Sequence, residues 1–223
     1  MFKNKRLLLP LIILIISGCA FKGKNKGIDL YSVFGKETPK DIEQAASRKS
    51  DQKGHFEVGN GQFNLVDQGE VVTNYSFDEQ DAHKVMFAGL EINEAYGAKV
   101  VSYNNTIAFV SLKAPEEHVK DYFNSFVKEL GKSDSMHIES IAVATVNDRV
   151  KSTLQEAFPG ILKAYKGDIP DVLVYPQRLF WKKGNVRYFL TLDPVGDFVN
   201  LKIDIITENA LNDKIVMGYH VAQ

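Results

Sequence analysis

Cysteine is nearly missing from this chain: Cys19 is the sole thiol in 223 residues, so no internal disulfide can form. Histidine is also sparse. The five at positions 55, 83, 118, 137 and 220 are scattered, and none belongs to H-E-x-x-H or another paired metal spacing. Gly-x-Ser-x-Gly is absent, as is a phosphate-cradling glycine loop. The sequence therefore nominates no catalytic residue, no metal ligand and no cofactor. An excess of one charge is lacking too, with 27 basic against 28 acidic residues. Nucleic acid is excluded as the main partner, because counterion-release binding needs a basic face. Finally, no apolar run reaches the about 20 residues that span a bilayer.

What is present begins at the first residues. Lys3, Lys5 and Arg6 precede an apolar stretch from Leu7 to Ile16 that is broken only by Pro10. That is too short for a transmembrane helix and has the form of a secretory signal peptide over residues 1–18. The stretch ends in Ile16-Ser17-Gly18-Cys19, which resembles the lipobox of bacterial lipoproteins. The resemblance implies cleavage between Gly18 and Cys19, and lipidation of Cys19 with diacylglyceryl and acyl chains such as palmitate. It also gives the odd cysteine of an exported protein a purpose. The localisation implied is the outer face of the cell membrane or a spore membrane, or the outer membrane if the source is Gram-negative, where Ala20 after the cysteine is compatible with sorting. Losing Lys3, Lys5 and Arg6 leaves 24 basic against 28 acidic residues in the mature chain, a net charge near −4.

Residues 19–75 are rich in Gly, Lys, Asn, Gln, Ser and Asp, without a sustained apolar period. They read as a lipidated N-terminus and flexible tether with a root-mean-square reach of roughly 40 Å. Lys22, Lys24 and Lys26 either touch anionic headgroups or form a solvated linker. A module over 76–167 follows. Ser76-Phe77-Asp78-Glu79 has the form of a capping box and predicts a helix ending at Gly97. Lys99–Tyr103 and Thr106–Leu112 predict a hairpin turned by Asn104-Asn105. Pro115 opens a second helix that Gly131 closes, Ile138–Val146 is a strand, and Asn147 or Asp148 caps a third helix stopped by Pro159. The fold class is α+β: a small helix/antiparallel-sheet sandwich followed by an antiparallel β meander. Strand alternation places Phe109 and Val143 toward the helices, beside Phe123 and Phe126.

The segment from Ala82 to Phe158 resembles the sporulation lipoprotein family of spore-forming firmicutes (the YhcN/YlaJ type). The likeness rests on a first helix rich in Ala and Val, on the strand ending Ile107-Ala108-Phe109-Val110-Ser111-Leu112, on a second helix, on the strand Ile138-Glu139-Ser140-Ile141-Ala142-Val143-Ala144-Thr145, and on the Asn-Asp helix start after it. The element order is also close to that of BON domains, modules linked to envelope attachment. The resemblance implies a non-enzymatic binding or assembly role in the cell or spore envelope, in sporulation or germination. The implied partners are the membrane, through the lipid anchor, and an envelope or spore protein or glycan.

Residues 168–223 lie outside that likeness and read as a C-terminal β meander: Val172–Lys182, Val186–Asp193, Phe198–Thr207 and Lys214–Val221. These strands either extend the first sheet or form a separate domain. Arg178, Trp181, Lys182, Lys183 and Arg187 cluster around a hairpin turn as a possible binding surface for a glycan or headgroup. A hairpin whose long side chains snorkel over an ordinary core explains the same residues. Glu116 and Glu117 fall in a first helical turn, where carboxylates favour the macrodipole. Two classes of function remain: a non-enzymatic envelope lipoprotein, or a lipid-anchored enzyme or ligand-binding protein whose site carries no familiar motif.

Overall fold

Backbone pairing, rather than hydrophobic content, organises the first third of the protein. In the computed structural model, residues 27–58, 62–66, 69–159, 163–165 and 171–218 are described. Residues 1–18, read above as a signal peptide, Cys19 and the lysines at 22, 24 and 26 lie outside them. The chain enters as β1 (Ile28–Asp29), α1 (Leu30–Val33) and α2 (Lys40–Ala45), then β2 (Arg48–Glu57), β3 (Gln62–Leu65) and β4 (Val71–Phe77). The expectation of a tether reaching residue 75 is thus corrected. Leu30 and Ile42 are wholly buried, and β2 pairs antiparallel with β4 from Arg48–Ser76 to Lys53–Val71. Composition concealed this because the first half of β2 is polar and wet: its hydrogen bonds belong to the backbone, which side-chain character does not report.

The helix expected over 76–97 is also absent. Ser76 and Phe77 finish β4, a single 3-10 turn covers Ala82–Lys84, and β5 (Val85–Phe87) and β6 (Leu90–Glu91) follow. The burial of Val85 and Phe87 about a less buried Met86 has the period of a strand. The turn between them is held from a distance: the Asp29 carboxylate accepts from Ala88 N at 2.9 Å and Gly89 N at 3.1 Å. Ser76 does not cap; it is Ser47 Oγ that accepts from Asp78 N at 2.9 Å. β5 bridges β1 and β6 in a small three-stranded sheet.

Beyond this point the local signals hold. β7 (Ala98–Tyr103) and β8 (Thr106–Ala114) form the hairpin, with φ of 50° at Asn104 and 57° at Asn105, as a two-residue turn of that hand requires. Gly97, at the start of β7, has φ of 61°, and a Cβ there would overlap the Phe77 carbonyl oxygen. Only glycine lets β4 and β7 meet so closely. A 3-10 turn after Pro115 leads into α3 (Val119–Leu130), which buries Val119, Tyr122 and Phe126 along one stripe and stops at Gly131. Next come β9 (Ser135–Ala142) and α4 (Asp148–Ala157), the latter capped by the Asn147 side chain accepting from Val150 N at 3.0 Å. β10 (Lys163–Tyr165), β11 (Val172–Lys183), β12 (Val186–Val195) and β13 (Phe198–Thr207) complete the meander. The connection expected over 208–213 holds α5 (Glu208–Asn212), Lys214 turns the chain with φ of 55°, and of the strand expected over Lys214–Val221 the described residues contain β14 (Val216–Met217), while 219–221 lie outside them.

These pieces form an α+β fold dominated by antiparallel sheet. The main sheet runs β11-β12-β13-β8-β7-β4-β2, with β9 and β10 also on β11, and β3 and β14 also on β2. The decisive pairing is β13 with β8, from Leu201–Ala114 to Ile206–Phe109. It makes the C-terminal meander an extension of the first sheet, so the described parts of 76–167 and 168–223 share one core.

The sheet has two unlike faces. One carries the larger cluster, in which Val100, Val110, Leu190 and Ile203 meet α3, α4 and the N-terminal elements. The other carries a smaller cluster of Phe56, Val101, Phe109, Phe189, Ile206, Ala210 and Val216. Phe109 therefore faces away from the helices, contrary to expectation. Val101 pairs with Phe109 and Ser102 with Ile107, leaving Ala108 as an extra residue on β8. This bulge inverts the alternation, sending Ile107 to the helical side and both Ala108 and Phe109 to the other. Val143 and Phe123 do pack on the helical side, although Val143 sits in a 3-10 turn rather than a strand.

Candidate functional site

Of the two readings of Arg178, Trp181, Lys182, Lys183 and Arg187, a basic aromatic surface or a hairpin over an ordinary core, the geometry favours the second. Trp181 is only 2% exposed and points into the helical core, where its indole N–H donates to Gly131 O at 2.9 Å and its ring lies 5.5 Å from Phe126. Its neighbours Arg178 and Lys182 project to the opposite face, as strand alternation requires. There Arg187 grips Glu208 through two hydrogen bonds of 2.9 Å, and Lys182 Nζ reaches the same carboxylate at 2.9 Å. Lys183 donates to Glu129 O at 3.1 Å. Arg178 is partly buried, and its Nε has no partner among the described residues. The cluster is a brace joining β11, β12 and α5, with its charge largely spent internally.

The brace has a pH signature. Hydrogen bonds first from Arg187 and then from Lys182 hold the Glu208 carboxyl down at about 2, against 4.5 for a free glutamate. A depressed carboxylate contributes stability that is fully present above its unfolded value and is lost as pH falls through the folded one. Glu208→Gln should therefore flatten the loss of stability between about pH 4.5 and about pH 2. Urea midpoints at about pH 6 and about pH 3 check this, and an unchanged difference between them would sink the assignment.

Other sequence candidates find local partners. His118 Nδ1 lies 3.1 Å from Asp121, and His137 Nε2 lies 2.9 Å from Glu139. No group of acidic, histidine and cysteine side chains fit for a metal occurs among the described residues. Glu116 goes beyond helix capping: it accepts from Val199 N at 3.2 Å and pairs with Arg149, fastening the start of β13 and the start of α4 to the loop before α3.

Two adjoining clefts sit where β7, β8 and β13 run out past the smaller cluster. The larger, about 680 Å³, is acidic and aromatic, lined among others by Glu79, Glu94, Glu117, Tyr96 and Phe198. Both rings are exposed, at 55% and 40%. The smaller, about 130 Å³, is basic: Lys99, Lys113 and Lys202 line it with Ser111, Phe56 and Tyr96. Tyr96 belongs to both, and Lys113 Nζ stands 3.6 Å from its ring centroid, marking the divide. The strand register explains the convergence. Lys202 pairs with Lys113 across β13 and β8, while Ser111 is flanked by Asp204 on one side and Lys99 on the other. Lys202 Nζ contacts the 2%-exposed Asp204 at 3.2 Å, and Lys99 Nζ lies 5.4 Å from the Phe56 ring. Desolvation, followed by repulsion from Lys202 and Arg48, lowers the Lys99 pKa.

Sequence reading missed this group because its members are far apart in the chain. The one available signal was the alternation in Asn200-Leu201-Lys202-Ile203-Asp204-Ile205, which marks an outward polar row but says nothing of the strand beside it. Among the described residues, no helix is long and apolar enough to cross a membrane. The chain matches no family model, no curated protein and no solved structure.

Proposed function

We propose that this chain is a membrane-anchored bacterial lipoprotein, cleaved before Cys19, that acts without catalysis as a binding or assembly module of the cell or spore envelope. The observation that carries it is Ile16-Ser17-Gly18-Cys19 closing a short apolar run, with the chain's sole cysteine at the site where a lipid would attach. Two acyl chains provide the firm attachment that one does not. The folded body supports a change in the geometry of that attachment. The described fold reaches back to Ile28, so eight residues, 20–27, separate it from Cys19, and even fully extended that stretch spans roughly 30 Å. The module works close to the lipid surface, at high local concentration relative to anything else held there. The resemblance over residues 82–158 directs the role to sporulation or germination. The paired clefts supply a surface on which recognition is built from charge and exposed rings.

Fractionating growing cells and purified spores while following the intact protein tests the reading. The expected result is recovery in the membrane fraction, released by detergent but not by salt, with the protein carried into spores. Recovery in the cytosol would refute the anchor, and absence from spores would refute the sporulation role.

A further inference from the structure

We propose that β9 is a self-association edge: a second copy of this chain lays its own β9 antiparallel against it, joining the two sheets across a two-fold axis. The pairing goes beyond the function proposed above and does not depend on the lipid anchor.

The two ends of the main sheet carry opposite chemistry. At one end, residues 48–53 of β2 pair with β4 alone among the described strands. That stretch holds Arg48, Lys49, Asp51 and Lys53, a density of charge that keeps a foreign strand from settling beside it. At the other end, β9 pairs only with β11 among the described strands. Its eight residues include no lysine, arginine, proline or glycine. An edge of that kind turns a row of backbone N–H and C=O groups outward with nothing to block their use. Ile138, near its middle, is 44% exposed.

The side chains of β9 select the occupant. In an antiparallel pair centred on Ile138, the two isoleucines meet, and His137 of each copy falls opposite Glu139 of the other. His137 and Glu139 already touch within one chain at 2.9 Å, and both are about half exposed. Period two puts them on one face of the strand and Ile138 on the other. Pairing closes a ring of four groups in which carboxylate and imidazole alternate. Complementary groups directly across strands stabilise a sheet, and like charges there destabilise it. Moving the centre to Glu139 sets two carboxylates against each other, and moving it to His137 opposes two imidazoles. A half-step instead places each Ile138 against a carboxylate. β9 is therefore complementary to itself in one register.

The axis of such a pair stands perpendicular to the joint sheet, so the helical faces of both copies lie on the same side. Ile28, at the N-terminal end of the fold, packs on that face. Both chains thus enter from one side, the arrangement that two copies held to one surface require.

Sedimentation velocity on residues 20–223, which hold every described element and no cysteine, tests the pairing. Over about 5–500 µM the chain should shift from monomer to dimer. Ile138→Lys, which charges the edge at an exposed position, should weaken the dimer by about tenfold or more, with an unchanged thermal midpoint. The register has its own readout. Ile138→Cys gives each copy a single thiol, and opposed residues of an antiparallel pair have Cα atoms about 4.5–5.5 Å apart, within reach of a disulfide. Oxidation with copper phenanthroline should link this variant into a dimer. Ser140→Cys should stay unlinked, because its thiols stand four residues apart along the pair, roughly 13 Å. A chain that remains monomeric throughout overturns the proposal and leaves the edge to an extended segment of a different protein. A dimer undiminished in Ile138→Lys, or Ser140→Cys linking as readily as Ile138→Cys, overturns the β9 register.

Discussion

Phe109→Ala should lower the unfolding free energy by about 3–5 kcal/mol, a large share of what a domain of this size possesses. Phe109 has no exposed surface, and its ring lies 4.7 Å from that of Phe56 at an interplanar angle of 39°. Phe56, Phe189 and Ile206 surround it in the smaller cluster and relax only in part, so a residual cavity adds to the lost transfer energy. Urea unfolding of the chain lacking its leader measures the effect, and a midpoint shift below that of a surface substitution would show the ring to be outside the core. A double-mutant cycle locates the face as well. Coupling to Phe56→Ala should be about 0.5–1.5 kcal/mol, while coupling to Phe126→Ala, in the other cluster, should be near zero. Strong coupling to Phe126 would restore the alternation that the Ala108 bulge breaks.

Cys19→Ser should abolish anchoring outright. The hydroxyl of serine is a far weaker nucleophile than a thiolate, and no second cysteine exists to accept the lipid. Labelled fatty acid should no longer be incorporated, and the protein should either remain unprocessed or leave the membrane fraction. Cys19 lies outside the described fold, so the thermal midpoint should not change. Retained acyl label in the serine variant would place the lipid elsewhere and remove the basis for reading this chain as a lipoprotein.

Where local chemistry is self-sufficient, the amino-acid sequence determined the outcome alone. Two asparagines that tolerate positive φ made the β7–β8 turn, Asn147 made the cap of α4, and Gly131 stopped α3. The periodicity of Val119, Tyr122 and Phe126 fixed which side of α3 is buried, and alternation along β13 fixed its polar row. These features depend on residues within a few positions of one another. Tertiary structure decided the rest. β2 is a strand because β4 offers it a backbone edge, and the 82–91 stretch is held as a turn and two strands because Asp29, some 60 residues away, binds its turn amides. One extra residue at Ala108 reversed the facing of Phe109, a change that costs the sequence pattern nothing and the core everything. The same dependence set the fate of the charged groups. Lys182 and Arg187 stand out in sequence but spend their charge on Glu208, whereas Lys99, Lys113 and Lys202 go unnoticed until the pairing of β7, β8 and β13 sets them side by side. Strand register is a relation between distant segments, and no local pattern carries it.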